Sequence, residues 1–202
     1  MMDTTPLYTA TFEPPPPERR TILRYAGSAD SAGMIGALLE DALDEALPAL
    51  SYRVCWRRLP CRCVGSRCQF GLLSVVSSSL ARLLEPCEGV LLFSATLGIG
   101  MDLLISKYGR VSPSRALMLQ AIGTERIESL CDFFCARQAQ EFRLTPRFSP
   151  GYGDLPLAFQ KELFSVLDCP RAIGLTLNDS MSMSPSKSVT AVAGIIGSAK
   201  EE

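Results

Sequence analysis

The sequence predicts an α+β fold. Residues 89–95 (GVLLFSA) form a short, unbroken apolar run of the kind a buried strand shows, and residues 51–59 and 69–76 read as further strands. Helical periodicity occupies other stretches, at 31–47, from Ser112 onward and at 157–167. Strands and helices are mixed without the regular strand–helix alternation of a parallel α/β sheet.

In chain order, residues 1–20 form an extended N-terminal arm. It ends in Pro14 to Pro17, a stiff polyproline stretch, and residues 21–202 read as one domain. In the 31–47 helix, Met34, Ile35, Leu38, Leu39, Ala42 and Leu43 recur at helical spacing, and Pro48 stops it. Residues 77–84 are a short helix ended by Pro86. After the 89–95 strand comes Gly98-Ile99-Gly100, read as a tight strand-to-helix turn. A dinucleotide-type site would also need an acidic residue about 20 positions on, at the end of a second strand. Here that position falls in the helix after Ser112. Ser112-Pro113 joins a capping side chain to a first-turn proline. That helix is expected to break at Gly123 and restart at Thr124, with Ile127, Leu130, Cys131 and Phe134 on one face. Residues 173–195 read as strand, polar loop containing Pro185, and strand.

Composition narrows the function. Apolar residues make up 47% of the 202 and charged residues 20%, with a net charge of −1. No bulk field points to nucleic acid, and no apolar run is long enough to span a bilayer. The first residues lack the basic and apolar regions of a signal peptide, so the eight cysteines read as reduced thiols in a cytoplasm. Histidine is absent, which removes Ser-His-Asp and Cys-His nucleophile systems, a histidine base and imidazole metal sites.

The densest cluster of unusual residues is Pro146-Arg147-Phe148-Ser149-Pro150-Gly151-Tyr152-Gly153-Asp154-Leu155-Pro156. Prolines fix φ and glycines permit positive φ, so this is a shaped loop. As a ligand site it offers Arg147 for a carboxylate, backbone groups of Ser149, Pro150 and Gly151, and Tyr152 for stacking, with Asp154 as a further charge. As a structural turn, its arginine would instead cap a neighbouring helix. Met181 and Met183 offer a deformable apolar surface and Lys187 a cation, or else a hairpin loop with a core methionine. Glu125, Glu128 and Asp132 lie about a turn apart on one helix, as a solvated acidic face or a binding one.

Cys55, Cys61, Cys63 and Cys68 are interleaved with Arg53, Arg57, Arg58, Arg62 and Arg67. The spacing is not the paired CxxC of zinc and cluster sites, so the region is read as metal-free. Its arginines read as a solvated strand face or as a dock for an acidic partner.

The loop RxSPGYGDLP, followed by a Met/Pro-containing turn and KSVTA, resembles the activation domain of cobalamin-dependent methionine synthase, and more closely the stand-alone bacterial proteins built from it. The resemblance is specific over the last 60 or so residues. It implies a twisted, mostly antiparallel sheet with packed helices. It also implies a site for S-adenosylmethionine to which Arg147, Gly151 and Tyr152 belong through the RxxxGY motif. Glu128 would meet the ligand's amino group, with Ser149, Pro150, Met183 and Lys187 nearby. The implied role is one component of a cobalamin-dependent methyltransferase system of methionine biosynthesis. There S-adenosylmethionine methylates, and so rescues, cobalamin held by another protein. With no histidine for cobalt and no room for further modules, the expected partner is a corrinoid protein or truncated methionine synthase, with a flavodoxin-like reductant. Larger members carry an aromatic residue where this chain has Val192-Ala193-Gly194. That departure keeps open a corrinoid-protein interaction subunit or chaperone without ligand binding; a Rossmann methyltransferase ranks third.

Overall fold

Strand β5 (Gly89–Thr96) is the centre of the molecule, and its sequence explains why. Val90 and Leu92 point to one face of the sheet and Leu91, Phe93 and Ala95 to the other, each in its own apolar cluster. A strand covered on both faces has no polar side, hence the unbroken apolar run. The computed structural model describes residues 5–28 and 33–199.

β5 is flanked by two long strands, β2 (Arg53–Val64) and β9 (Ser188–Ser198). Outside β2 lie β3 (Arg67–Phe70) and β4 (Leu73–Val76), and β1 (Tyr8–Thr11) also pairs with β2. Beyond β9 lies β6 (Phe142–Leu144). The result is a seven-stranded sheet in which every pairing is antiparallel. The α+β class read from the sequence is the observed one.

Helices cover both faces. On one side α3 (Ser78–Leu84), α6 (Gln160–Val166) and α7 (Cys169–Ile173) close a core around Leu59, Phe70, Leu92 and Val192. On the other, α5 (Pro113–Gln138) lays Ile127, Leu130, Cys131 and Phe134 against Val54, Phe93 and Ala191. A third cluster joins α1 (Arg19–Tyr25), α2 (Gly33–Ala46) and α4 (Gly100–Tyr108) to the first half of α5. Among the described residues no helix is long and apolar enough to cross a membrane.

Several expectations are corrected. The 69–76 strand is two strands, because Gly71 takes φ +55° and reverses the chain between them. α5 does not break at Gly123; it runs for 26 residues. Glycine is there to admit a neighbour, since an added Cβ would lie 2.9 Å from Cε of Lys187. The first C-terminal strand is only a short ribbon of β7 (Thr176–Leu177) and β8 (Met183–Ser184), separate from the main sheet. The predicted start of the 31–47 helix, Ser31 and Ala32, lies outside the described residues. Within the helix Leu39, Ala42 and Leu43 are buried, whereas Met34 and Ile35 are exposed.

The proline arm is held to α5. Arg126 is 1% exposed and pairs with Glu125 at 2.6 Å. Its guanidinium also donates to the Pro15 carbonyl at 2.7 Å, and Glu125 accepts from the Glu18 amide at 3.3 Å. Prolines suit this contact: they lack N–H groups and leave their carbonyls free for an arginine fork.

Candidate functional site

The 147–156 loop is positioned from below by β9. Phe148 exchanges two backbone hydrogen bonds with Val192, both 2.8 Å, and the Thr145 amide donates to Gly194. Beyond this anchor Gly151 adopts φ +90° and turns the chain between Pro150 and Tyr152. The turn is closed by Gly151 N–H to the Leu155 carbonyl at 2.9 Å and Tyr152 N–H to Ser149 at 3.1 Å.

Between this loop, α5, α6, β8 and the start of β9 lies an open cavity of about 280 Å³. Glu128, Arg147, Ser149, Pro150, Tyr152 and Met183 line it, so six of the eight residues singled out in the sequence meet here. Gln160 and the Ser188–Thr190 stretch complete the wall. Pro150 is buried, and Tyr152 is 69% exposed with an edge-on contact to Phe148. An aromatic ring left open beside an apolar floor is a stacking surface.

Arg147 is partnered within the chain. Its guanidinium sits 2.6 Å from Glu128 and 3.0 Å from Asp132, both on α5. The expected helix-capping role is absent; the arginine ties the loop to the side of a helix and holds Glu128 at the cavity edge. Cys131 and Cys135 on the same helix are packed thiols, and burial raises both.

Three residues behave differently from expectation. Asp154 points away from the cavity and caps α3. It accepts from the Ser77 hydroxyl at 2.5 Å and from the amides of Ser78 and Ser79 at 2.7 and 3.0 Å. These donors, Ser77 first, hold its carboxyl well below the usual aspartate range. Lys187 is not on the lining. Its stem crosses Gly123 and its amine donates to Thr124 at 3.1 Å, with burial drawing its pKa down. Gly151 shapes the loop without facing the cavity.

Gln160 was not singled out in the sequence. It is 3% exposed, lines the cavity, and its amide nitrogen has no hydrogen-bond partner among the described residues. A buried donor without an acceptor is costly unless something else supplies one. Only its place at the start of α6, beside the 147–156 loop, reveals it, and a lone glutamine in a helical stretch carries no sequence signal.

The arginines expected to dock a partner are largely engaged. Arg57 donates to the Thr5 carbonyl at 2.7 Å. Arg58 pairs with Glu141 at 3.1 Å and lies over the rings of Tyr8 and Phe142. Arg62 and Arg67 remain exposed.

No family model matches the chain, and no curated protein matches it in sequence. Among solved structures, 13 chains match. One is the MetH reactivation domain bound to AdoHcy, with a TM-score of 0.64 and 14% identity, covering 94% of this chain and 78% of that one. The α+β fold described above is therefore the fold of the MetH reactivation domain.

Proposed function

We propose that this protein binds S-adenosylmethionine in the cavity beside the 147–152 loop and supports reductive methylation of cobalamin carried by a partner corrinoid protein in the cytoplasm. One observation carries the reading: residues picked from the sequence for this ligand line a single cavity, on the fold of a domain whose solved structure holds AdoHcy.

The cavity's donor set fits the ligand. Gln160 presents an unpartnered amide, Glu128 a carboxylate for an ammonium group, and Pro150, Tyr152 and Met183 apolar surface for a flat ring. Arg147 meets the ligand's carboxylate in this reading while Asp132 and Glu128 hold its guanidinium in place. S-adenosylmethionine supplies an already activated methyl group as a sulfonium. The protein therefore needs no acid or base of its own and contributes binding, orientation and exclusion of water. The absence of histidine is compatible with that task, and leaves cobalt ligation to the partner.

A second reading is favoured by the same ion pair. With Arg147 already neutralised by two carboxylates, a fold that has given up the ligand and only docks a corrinoid protein would look similar. Calorimetric titration of the full chain with S-adenosylmethionine separates them. Binding in the micromolar range, with a raised melting temperature, supports the first. No heat and no shift at millimolar ligand overturns it. With the ligand, a low-potential reductant and a host corrinoid protein, the cob(II)alamin spectrum should convert to that of methylcobalamin.

A further inference from the structure

We propose that Cys63 and Cys68 form a thiol–disulfide exchange site whose oxidising substrate is a small anionic disulfide of the glutathione disulfide class. The site is separate from the ligand cavity and does not depend on the function proposed above.

The hairpin geometry carries the inference. β2 and β3 are joined by the two-residue turn Gly65-Ser66, with Val64 opposite Arg67 and Cys63 opposite Cys68. In a two-residue hairpin the pair flanking the turn exchanges both backbone hydrogen bonds. The next pair outward is then of the non-hydrogen-bonded kind, with Cα atoms about 4.5 Å apart. That lies within the span of about 4.4–6.8 Å that a disulfide bridges. The two sulfurs are free thiols 3.0 Å apart. Closing the bond therefore needs movement of the side chains and none of the register.

The two thiols are unequal in access. Cys68 is fully buried, while Cys63 is half-buried and opens on a second cavity of about 400 Å³. Ser66, Ser78, Arg82, Glu85 and Cys87 share that wall. An incoming disulfide reaches Cys63 first, and Cys68 stands behind it as the resolving thiol. Arg82 is the one cation on that wall, beside Glu85, and gives a substrate carboxylate a guanidinium to pair with, whereas Arg62 and Arg67 alternate with the cysteines along their strands and face the other side of the sheet. Cys61 and Cys87 adjoin the pair. Burial first, and then the neighbouring thiols, push Cys61 up to about 12 and raise Cys68 and Cys87 as well.

The exchange balances in two steps. Cys63 gives its proton to water and attacks one sulfur of the incoming disulfide. That S–S bond breaks, and one small thiolate leaves and takes up a proton. Cys68 then gives up its proton and attacks the Cys63 sulfur of the mixed disulfide, and the second small thiol departs. Two protein thiols are oxidised to one disulfide, and one small disulfide is reduced to two thiols.

Trypsin makes the test direct. Arg58, Arg62, Arg67 and Arg82 place Cys61, Cys63, Cys68 and Cys87 on four different peptides. The folded full chain is incubated with glutathione disulfide, quenched by alkylation and digested. The expected result is loss of two alkylatable thiols, a link between the peptides beginning at Cys63 and Cys68, and full reversal by dithiothreitol. Oxidation by glutathione disulfide should outpace that by uncharged hydroxyethyl disulfide, and Arg82→Gln should narrow the difference. The proposal is overturned if all eight thiols stay alkylatable, if the link joins other peptides, or if a stable glutathione adduct leaves Cys68 free. Equal rates with the two oxidants overturn the anionic substrate class.

Discussion

Lys187 lies across Gly123, close enough that a Cβ at position 123 would stand 2.9 Å from its Cε and 3.0 Å from its Cγ. The lysine stem thus takes the place of a side chain on α5 and fastens the start of β9 to the helix. Two effects then compete in Gly123→Ala. Helix propensity favours alanine by about 1 kcal/mol, while crowding a packed contact costs about 1–3 kcal/mol. Gly123→Ala should destabilise the native protein and stabilise it when Lys187→Ala is already present. Denaturant melts of the four species give the cycle; the same sign in both backgrounds would remove the packing explanation.

Gln160 should show opposite effects on stability and binding. Its unpartnered buried amide costs about 1–3 kcal/mol on the usual scale for such groups. Gln160→Leu should therefore raise the melting temperature of the ligand-free protein. If the amide donates to S-adenosylmethionine, the same change weakens binding by about threefold to tenfold, the worth of one ordinary hydrogen bond. Unaltered affinity, measured by calorimetry, would place Gln160 outside the binding site.

Acid sensitivity follows from two carboxylates held ionised by the fold. Asp154 is depressed by Ser77 and the first amides of α3. Glu45, at the end of α2, is pushed down to about 2, chiefly by the Lys107 hydrogen bond, with Tyr108 and Arg115 adding to it. A carboxyl group whose pKa is lower folded than unfolded adds stability above its unfolded pKa, and that stability is lost as pH falls through the folded value. Wild type should lose stability from about pH 5 downward. Asp154→Asn and Glu45→Gln should each lower the melting temperature at neutral pH and converge on wild type in acid. A constant gap across the titration would exclude the charge as the cause.

The buried Arg126–Glu125 pair should respond asymmetrically. Arg126→Met removes the countercharge of Glu125, which then keeps only the Glu18 amide, and takes the arginine donor from the Pro15 and Pro16 carbonyls, with an expected loss of about 3–5 kcal/mol. Adding Glu125→Leu should return a large part of it, since replacing both charges removes the stranded one. If Arg126→Met alone is tolerated, as read by thermal unfolding, the proline arm is not fastened there.

Much of this could be read along the chain because it is written in local periodicity. The apolar run of β5 and the start of α5 at Pro113 each follow from residues a few positions apart, although Ser112, read as a capping side chain, makes no cap hydrogen bond. What was hidden depends on residues far apart in sequence. The packing of Gly123 in α5 needs Lys187, and the capping role of Asp154 needs the amides of Ser78 and Ser79. Strands β1 and β6 are three or four residues of ordinary composition, and their neighbours alone define them. The site divided the same way. Pro150, Gly151 and Tyr152 announce a shaped loop, whereas Gln160 and the pairing of Arg147 with Asp132 arise only when α5 and α6 are packed around it.

The placement of β9 between β5 and β6 has a consequence for synthesis on the ribosome. β5 emerges with β2 already available on one edge, but its other edge must wait for Ser188 onward, roughly a hundred residues later. Among the described residues β6 pairs with β9 alone and can dock only afterwards. Until then a highly apolar strand carries an open edge, the condition under which nascent chains associate with one another. β9 is thus the strand that seals the sheet, so translation products that stop before Ser188 should partition to aggregates and chaperones instead of persisting as partly folded soluble domains.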